Sequence, residues 1–301
     1  MNILTKIRVG FGSAARHPLH RHAPLRAMGK FFRAQLALRM LPWDFCVDFP
    51  NQTKLLVPRQ RGTGHYIFPG LWEFHDMAFV MHFLRPDDFF LDVGANIGAY
   101  TVLASGVVGA RTRAYEPSPV SYSALVRNVR LNNLGDKVTL RNVALGRERG
   151  SLRLTEGLGM ENYIVSGSAV SKGRTTEVQV VTLDEDLAGA CPTLLKIDVE
   201  GFEAEVFASG RKTLANAGLQ ALVMEYNQTI ARYGSEVKQL DEMIGSAGFQ
   251  PCQYEPFKRT LVPVPSAKRG EVSNLVYVRN LDAVSERLRR AKPFEMGGNR
   301  V

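Results

Sequence analysis

Residues 89–98 read Phe89-Phe90-Leu91-Asp92-Val93-Gly94-Ala95-Asn96-Ile97-Gly98 and join a short apolar run to a turn with two glycines. This pattern is typical of a buried β-strand, a tight turn and the start of a helix. In an open α/β sheet, ligands bind beyond the carboxyl ends of the strands. We therefore expect a ligand-binding turn here, where Gly94 and Gly98 let the backbone approach a ligand and Asp92 meets a cationic group.

The spacing of the glycines separates classes of ligand. A dinucleotide-binding turn follows G-x-G-x-x-G, and a phosphate-binding P-loop follows G-x-x-x-x-G-K-[ST]. The turn here is G-x-x-x-G without a following lysine. With Asp92 in front and Asn96 inside, it favours a cationic, phosphate-free ligand. A dinucleotide-dependent oxidoreductase is therefore the weaker alternative.

Beyond this turn, helix-like and strand-like segments alternate. Further strands are expected at 111–115, 138–143, 194–198 and 219–225, and helices at 71–83, 98–107, 119–131, 202–214 and 229–247. Two late strands, 249–254 and 275–278, are joined by a long loop and suggest an antiparallel hairpin at the sheet edge. Short strand-like pieces within 150–182 suggest a β insertion. The order predicts an α/β fold with a mostly parallel, seven-stranded sheet.

The two ends of the chain differ from this central region. Residues 1–43 hold eight Lys or Arg and no acidic residue, and removing these eight from the net charge of +9 leaves +1 for the rest. A nucleic-acid surface spread over the domain is therefore not expected. Apolar residues between Pro24 and Met40 recur at helical spacing. We expect a basic helical extension at 1–64, a catalytic domain at 65–280 and a tail at 281–301 with a frayed end.

The basic extension has three interpretations that composition leaves open: docking on the domain, contact with a membrane surface, or targeting. No apolar run approaches the roughly 20 residues of a spanning helix. The three cysteines, Cys46, Cys191 and Cys252, are far apart and suggest neither a disulfide framework nor a zinc site. A reducing cytoplasm is the expected location.

Acidic and amide side chains follow the predicted strand ends. Glu116, with Pro117 behind it, ends the second strand about twenty residues beyond the turn, where a carboxylate can accept both hydroxyls of a ribose. Asn142 ends the third strand and is a candidate for an adenine edge, although an Asn before a turn is also ordinary turn chemistry. Glu73, in the segment that precedes the turn at 94–98, is a candidate to close over the cofactor.

Five blocks of sequence, in this order, resemble the FkbM family of methyltransferases. They are Phe90–Gly98, Tyr115-Glu116-Pro117, Val143-Ala144-Leu145-Gly146, Leu195-Lys196-Ile197-Asp198-Val199-Glu200-Gly201 and Met224-Glu225, within residues 65–280. The resemblance implies a class I, Rossmann-like methyltransferase sheet and S-adenosylmethionine as cofactor. It also implies O-methylation of a small acceptor, such as a sugar, a polyketide or another metabolite with a hydroxyl group.

Catalytic groups are expected at the end of the fourth strand. If residues 196–200 stay extended, Lys196, Asp198 and Glu200 share one face. Asp198 is the first candidate for the base that takes the acceptor proton, Glu200 the second, and Lys196 an electrostatic partner. The alternative is that these residues form ion pairs at the end of the strand, fix the following helix and take no part in catalysis.

Oxygen ligands at the same strand ends raise the alternative of a magnesium site, although we expect no bound metal. Asp198, Glu225 and Asn227 would be its ligands, and oxygen-rich strand ends are common without metal. A non-catalytic cofactor-binding module and a membrane-surface tailoring factor are the competing functions. The acceptor pocket is expected from the insertion at 150–182 and the late loop at 255–272.

Overall fold

The computed structural model describes residues 17–20, 25, 29, 32–34, 36, 40–59, 70–157, 162–165, 174–225, 237–265, 274–296 and 298–301. Its helices are α1 Phe74–Phe83, α2 Ala99–Val102 with a π-helical continuation Leu103–Val108, α3 Pro119–Leu131, α4 Leu183–Leu187, α5 Glu203–Ser209, α6 Arg211–Ala215, α7 Val237–Ser246 and α8 Leu281–Arg289. Its strands are β1 Phe45–Asp48, β2 Lys54–Val57, β3 Phe89–Val93, β4 Arg111–Tyr115, β5 Val138–Arg141, β6 Ala144–Leu145, β7 Gly150–Thr155, β8 Ile164–Val165, β9 Thr175–Val181, β10 Leu194–Ile197, β11 Ala221–Glu225, β12 Gln250–Glu255, β13 Thr260–Pro263, β14 Asn274–Val278, β15 Glu295–Met296 and β16 Asn299–Arg300.

The main sheet has eight strands in the order β13-β12-β14-β11-β10-β3-β4-β5. The five strands from β11 to β5 run parallel, and β14 pairs antiparallel with both β11 and β12. All seven expected strands are present, including the late antiparallel pair. The eighth, β13, lies where a loop is expected, because its residues are mostly exposed and carry no alternating apolar signal.

Helices cover both faces of this sheet, which is why its central strands β3, β10 and β11 are largely apolar on both sides. Within β3, Phe90 packs into the cluster that contains α1, α2, α3 and α8, and Leu91 packs into the cluster that contains α4 to α7. The arrangement is a doubly wound, Rossmann-like α/β fold, in which ligands bind at the carboxyl ends of the strands.

The expected β insertion is a separate four-stranded sheet in the order β6-β9-β7-β8. It has a small apolar cluster of its own, which includes Leu154, Ile164 and Val178. Since β6 follows β5 and β9 precedes α4, the insertion stays next to the carboxyl end of the main sheet.

The hairpin of β1 and β2 is fastened to α3 by one buried side chain. Asn128 donates hydrogen bonds to the carbonyl oxygens of Leu56 (2.9 Å) and Ile97 (2.8 Å), and its Oδ1 accepts one from the Leu56 amide (2.6 Å). The same side chain therefore holds the hairpin and the turn after β3 against α3.

The C-terminal residues are not frayed in the described part of the chain. Phe294 and Val301 are buried and exchange backbone hydrogen bonds of 3.0 Å, which closes the hairpin of β15 and β16. Arg287 of α8 pairs with Asp88. The expectation of a frayed end is wrong because these apolar residues, although flanked by glycines, are buried against the domain.

Two helical expectations fall partly outside the described residues. Within the expected helical extension at 1–64, the described residues between 21 and 40, which include Leu25, Phe32, Leu36 and Met40, are helical. Residues 45–57 correct that expectation, because they form the hairpin of β1 and β2. The helix expected at 229–247 is seen as α7, and 226–236 lie outside the description. Among the described residues, no helix is both long enough and apolar enough to cross a bilayer.

Candidate functional site

A cavity of about 320 Å³ lies at the carboxyl ends of β3, β4, β10 and β11. This volume falls in the range of small-molecule sites, roughly 300–1,000 Å³. Its wall includes residues 93–96 of the turn, 116–118 after β4, 198–200 after β10, and Glu225. The cavity therefore occupies the place where the sheet topology predicts a ligand.

The turn after β3 depends on Gly94. Its φ is +76°, in the left-handed region, and a Cβ added there would lie 1.8 Å from the Asp198 carbonyl oxygen. The amides of Gly94 and Ala95 both donate to the Tyr115 carbonyl oxygen, at 3.0 and 2.9 Å. Glycine thus lets the ends of β3, β4 and β10 approach one another.

Gly98 has a packing role away from the cavity. It is not part of the wall, and a Cβ there would lie 2.5 Å from Cδ1 of Leu125 in α3. The expected approach of Gly98 to a ligand is corrected accordingly. Its missing side chain lets the start of α2 pack against α3.

Glu116 and Asn96 meet on the wall between β3 and β4. The Glu116 carboxylate accepts hydrogen bonds from the amides of Asn96 and Ser118, both at 2.8 Å. Burial raises the pKa of Glu116 to about 7. The Oδ1 atom of Asn96 is buried and has no hydrogen-bond partner in the described part of the chain. It is thus an acceptor available to a donor in the cavity.

Asn142 supports this corner from behind. Its amide group donates to the carbonyl oxygens of Glu116 (2.7 Å) and Pro117 (3.1 Å). Pro117 lies on the cavity wall and Asn142 does not. Because its donor group faces the Glu116 turn, the expected contact of Asn142 with an adenine edge is replaced by a bracing role.

Asp92 lies beneath the turn instead of on the wall. The side chain is fully buried, and its Oδ2 accepts a hydrogen bond of 2.6 Å from the Thr101 hydroxyl. Burial raises the pKa of Asp92, and the charge of Lys196 opposes that rise. The expected direct contact with a cationic ligand is therefore corrected: the carboxylate faces α2 and Lys196.

Lys196 joins the turn to the end of β10. Its Nζ donates to the Gly94 carbonyl oxygen (2.9 Å) and to Asp198 Oδ2 (3.2 Å), and it lies 3.8 Å from Asp92 Oδ1. Burial lowers the pKa of this ammonium, but the charges of Asp198, Asp92 and Glu73 more than offset that effect and raise it. Lys196 is therefore a buried, permanently charged link between the turn and Asp198.

The segment after β10 curls and does not stay extended. The strand ends at Ile197, and Glu200 has a left-handed φ of +55°. The Glu203 carboxylate accepts hydrogen bonds from the amides of Val199 (3.3 Å) and Gly201 (3.2 Å), which holds this curl. Asp198 and Glu200 still both reach the cavity wall, although the alternation expected of a strand is absent.

Three carboxylates crowd the same end of the sheet. Oxygen atoms of Asp198, Glu200 and Glu225 lie within 4.8 Å of one another. Burial first, and then the charges of Asp198 and Glu200, raise the pKa of Glu225 to about 9. Glu225 is therefore protonated at neutral pH, which limits the repulsion. Asn227, the other oxygen donor considered, lies outside the described residues.

Glu73 and Tyr100 form a hydrogen-bonded pair, of which only Glu73 is expected from the sequence. The Tyr100 hydroxyl donates to Glu73 Oε2 at 2.7 Å, and both residues line the cavity. Burial and the nearby Asp198 raise the pKa of Glu73 to about 7. Lys196 Nζ lies 5.3 Å from the centre of the Tyr100 ring. The signal for Tyr100 is its position: it lies in the first turn of the helix that follows Gly98, next to the carboxyl end of β3.

The insertion covers one side of the cavity, as expected for an acceptor pocket. Leu154, Asn162, Tyr163 and Ile164 contribute to the wall. The described residues of the late loop, 255–265, do not. Of the two segments expected to build the acceptor pocket, the insertion lines this cavity and the described part of the late loop does not.

The region of the chain that contains most of this site is similar to known methyltransferases. The model of the Methyltransferase FkbM domain matches residues 92–251. Methyltransferase 1 of Beauveria bassiana (strain ARSEF 2860) is 34% identical over 145 residues, 40% of this chain and 58% of that protein. Methyltransferase sdnD of Sordaria araneosa is 27% identical over 166 residues, 44% of this chain and 64% of that protein. The matched regions span less than two thirds of the length of either relative.

Solved structures also resemble the chain. The crystal structure of Methyltransferase FkbM from Methylobacillus flagellatus KT aligns with a TM-score of 0.45 and 14% identity, over 71% of this chain and 52% of that chain. The METTL16 MTase domain aligns with a TM-score of 0.41 and 12% identity, over 75% and 73% of the two chains.

Proposed function

The chain belongs to the FkbM methyltransferase family, and on this premise we propose that its cavity binds S-adenosylmethionine and that the enzyme methylates a hydroxyl of a small acceptor. The observation that carries the proposal is the charge of the wall. Its described residues hold one cation, Lys196, and five carboxyl groups: Glu73, Glu116, Asp198, Glu200 and Glu225. Even with Glu225 protonated and with Glu73 and Glu116 partly ionised near pH 7, the wall is acidic. A wall of this kind favours a cationic ligand and disfavours the pyrophosphate of a dinucleotide.

Two further features support this cofactor. The buried Oδ1 of Asn96 needs a hydrogen-bond donor, and the cofactor's ammonium group is one. Glu116 uses only part of its acceptor capacity on the amides of Asn96 and Ser118, so it can still accept ribose hydroxyls. Gly94 removes the side chain that would block this corner.

The cofactor supplies an activated methyl group, and the protein's own residues handle the acceptor. Asp198, about one third exposed at the end of β10, would accept the hydroxyl proton as the methyl group leaves the cofactor's sulfur, which becomes a neutral thioether, for the acceptor oxygen. Glu225 is the less suitable base, because burial and the neighbouring carboxylates raise its pKa and favour its protonated form. Glu200, across the cluster, orients the acceptor.

Lys196 is a positioning residue. Its ammonium group holds one Asp198 oxygen and the Gly94 carbonyl at the same time, so it fixes the distance between the base and the cofactor turn. A displacement of about 1 Å in such a site costs about a hundredfold in rate. The Asp92 carboxylate, 3.8 Å from Lys196 Nζ, compensates the positive charge of Lys196.

The experiment is an acceptor screen with S-adenosylmethionine, followed by mass detection of one added CH₂ unit. Once an acceptor is found, we expect Asp198→Asn to lower kcat by about a hundredfold or more, since the proton loses its acceptor. Asp136→Asn removes an exposed carboxylate that does not line the cavity and is the matched control. Equal turnover of Asp198→Asn and the wild type would remove Asp198 from catalysis.

A further inference from the structure

The exposed apolar side chains of the protein are concentrated in one segment. Of ten large apolar residues that are exposed in the described part of the chain, six lie between residues 25 and 43: Leu25, Phe32, Leu36, Met40, Leu41 and Trp43. Leu36, Met40 and Trp43 expose 58%, 70% and 66% of their surface. Single exposed apolar residues are ordinary, whereas such a concentration marks an interaction surface.

This segment has the periodicity of an amphipathic helix. Leu25, Phe32, Leu36 and Met40 are separated by seven, four and four residues, and each is helical. Such spacing places side chains on one face of a helix. The apolar face of the extension is thus turned to solvent, whereas the apolar faces of the helices beside the main sheet are buried in the core.

Both ends of the segment are held by the domain. On the N-terminal side, His17 Nε2 donates to the Leu71 carbonyl oxygen at 2.7 Å, and the Asn299 side chain donates to the Leu19 carbonyl oxygen at 2.9 Å. On the C-terminal side, Asp44 pairs with Arg127 at 2.6 Å. The large apolar side chains described between these anchors remain exposed although the domain lies next to them.

The charge of the same region decides what covers this face. Residues 1–43 carry eight of the cations of the chain and no acidic residue. Two copies of the segment facing each other would bring sixteen cations together without a counter-charge, which opposes self-association. Anionic lipid headgroups complement the cations, and the acyl boundary accepts the apolar face.

We propose that the exposed apolar side chains between residues 25 and 43 bind the surface of an anionic lipid bilayer. They lie at the boundary between headgroups and acyl chains, and the positive charge of this stretch of sequence attracts the headgroups. The anchors at His17 and Asp44 hold the catalytic domain at this surface. The proposal is independent of the methyl-transfer chemistry.

The test is co-sedimentation of the full chain with vesicles. We expect binding to phosphatidylcholine vesicles that contain about 30% phosphatidylserine, weak binding to phosphatidylcholine alone, and release at about 0.5 M salt. Leu36→Ala/Met40→Ala should weaken binding about tenfold or more, because it removes apolar surface that enters the bilayer. The matched control is Leu131→Ala/Val262→Ala, two exposed apolar residues outside the segment, with unchanged binding.

Three results would overturn the proposal. The full chain could stay in the supernatant with the anionic vesicles, or both double variants could bind as well as the wild type. Sedimentation equilibrium could show a dimer that Leu36→Ala/Met40→Ala dissociates, in which case a second copy covers the face. Thermal unfolding of both double variants checks that they fold, and none of these readouts depends on activity.

Discussion

Glu116 couples the proposed cofactor site to pH at the scale of one residue. Burial raises its pKa to about 7, so about half of the carboxyl groups are protonated at neutral pH before a ligand binds. Ribose hydroxyls that donate to this group favour its ionised form. The affinity for S-adenosylmethionine should therefore fall as pH drops below 7, by up to about tenfold per pH unit. Calorimetry over this pH range measures the slope.

Two variants separate Glu116 from its neighbour. Glu116→Gln should bind more weakly and lose the slope, because its amide does not titrate. Glu73→Gln removes the other wall carboxyl whose pKa is about 7 and should retain the slope. If the slope survives in Glu116→Gln and disappears in Glu73→Gln, the assignment of the titrating group is wrong.

Single residues also mark the limit of what the motifs predict. The positions of Gly94, Asn96, Glu116, Asp198 and Glu200 on the cavity wall follow from their places at strand ends, because parallel strands present their carboxyl ends at one edge. The orientations of the Asp92 and Asn142 side chains do not follow from the motifs, because partners outside the motif fix them. Asp92 is held by Thr101 of α2 and by Lys196. Asn142 is held by the carbonyl oxygen of Glu116.

At the scale of elements, α1 and β12 are joined by a buried histidine. His82 of α1 shares a hydrogen bond of 2.7 Å with the Tyr254 hydroxyl of β12. Burial, and then the charge of Arg259, lowers the pKa of His82 from 6.5 to about 4. The folded protein therefore binds this proton less readily than the unfolded chain, so stability is lost as pH falls from 6.5 towards 4.

The variant His82→Gln tests this coupling. Glutamine keeps a hydrogen-bonding group near Tyr254 and does not titrate. The free energy of unfolding of the wild type, relative to the variant, should fall by about 3 kcal/mol between pH 7 and pH 4. Urea unfolding of both proteins at both pH values measures this difference in unfolding free energy. The contributions of His17 and of all other titrating groups cancel, because both proteins contain them. A constant difference would show that His82 is not the titrating group.

Elements were predictable where their apolar pattern matched their burial. The strands β3, β10 and β11 are largely apolar runs, so their existence and order follow from the sequence. The strand β13 was not predictable, because an exposed edge strand with a proline carries no apolar period. The hairpin of β15 and β16 was missed because its contacts come from residues far away in the chain, such as Asn51, whose Oδ1 accepts a hydrogen bond from the Glu295 amide.

At the scale of the whole molecule, charge and apolar surface are divided between two parts. The region from residue 44 onward carries a net charge of +1 and nearly all of the buried core, and residues 1–43 carry a net charge of +8 and most of the exposed large apolar side chains of the described chain. The family resemblance that the five blocks indicate is confirmed by the match over residues 92–251. The acceptor does not follow from the fold, because one fold serves many substrates.

The central claim is that the acidic cavity binds S-adenosylmethionine, and titration calorimetry of the full chain tests it most directly. We expect one S-adenosylmethionine per chain, at least about tenfold weaker binding in Glu116→Gln, and no heat from a nicotinamide dinucleotide. Binding of the dinucleotide without binding of S-adenosylmethionine would contradict the account.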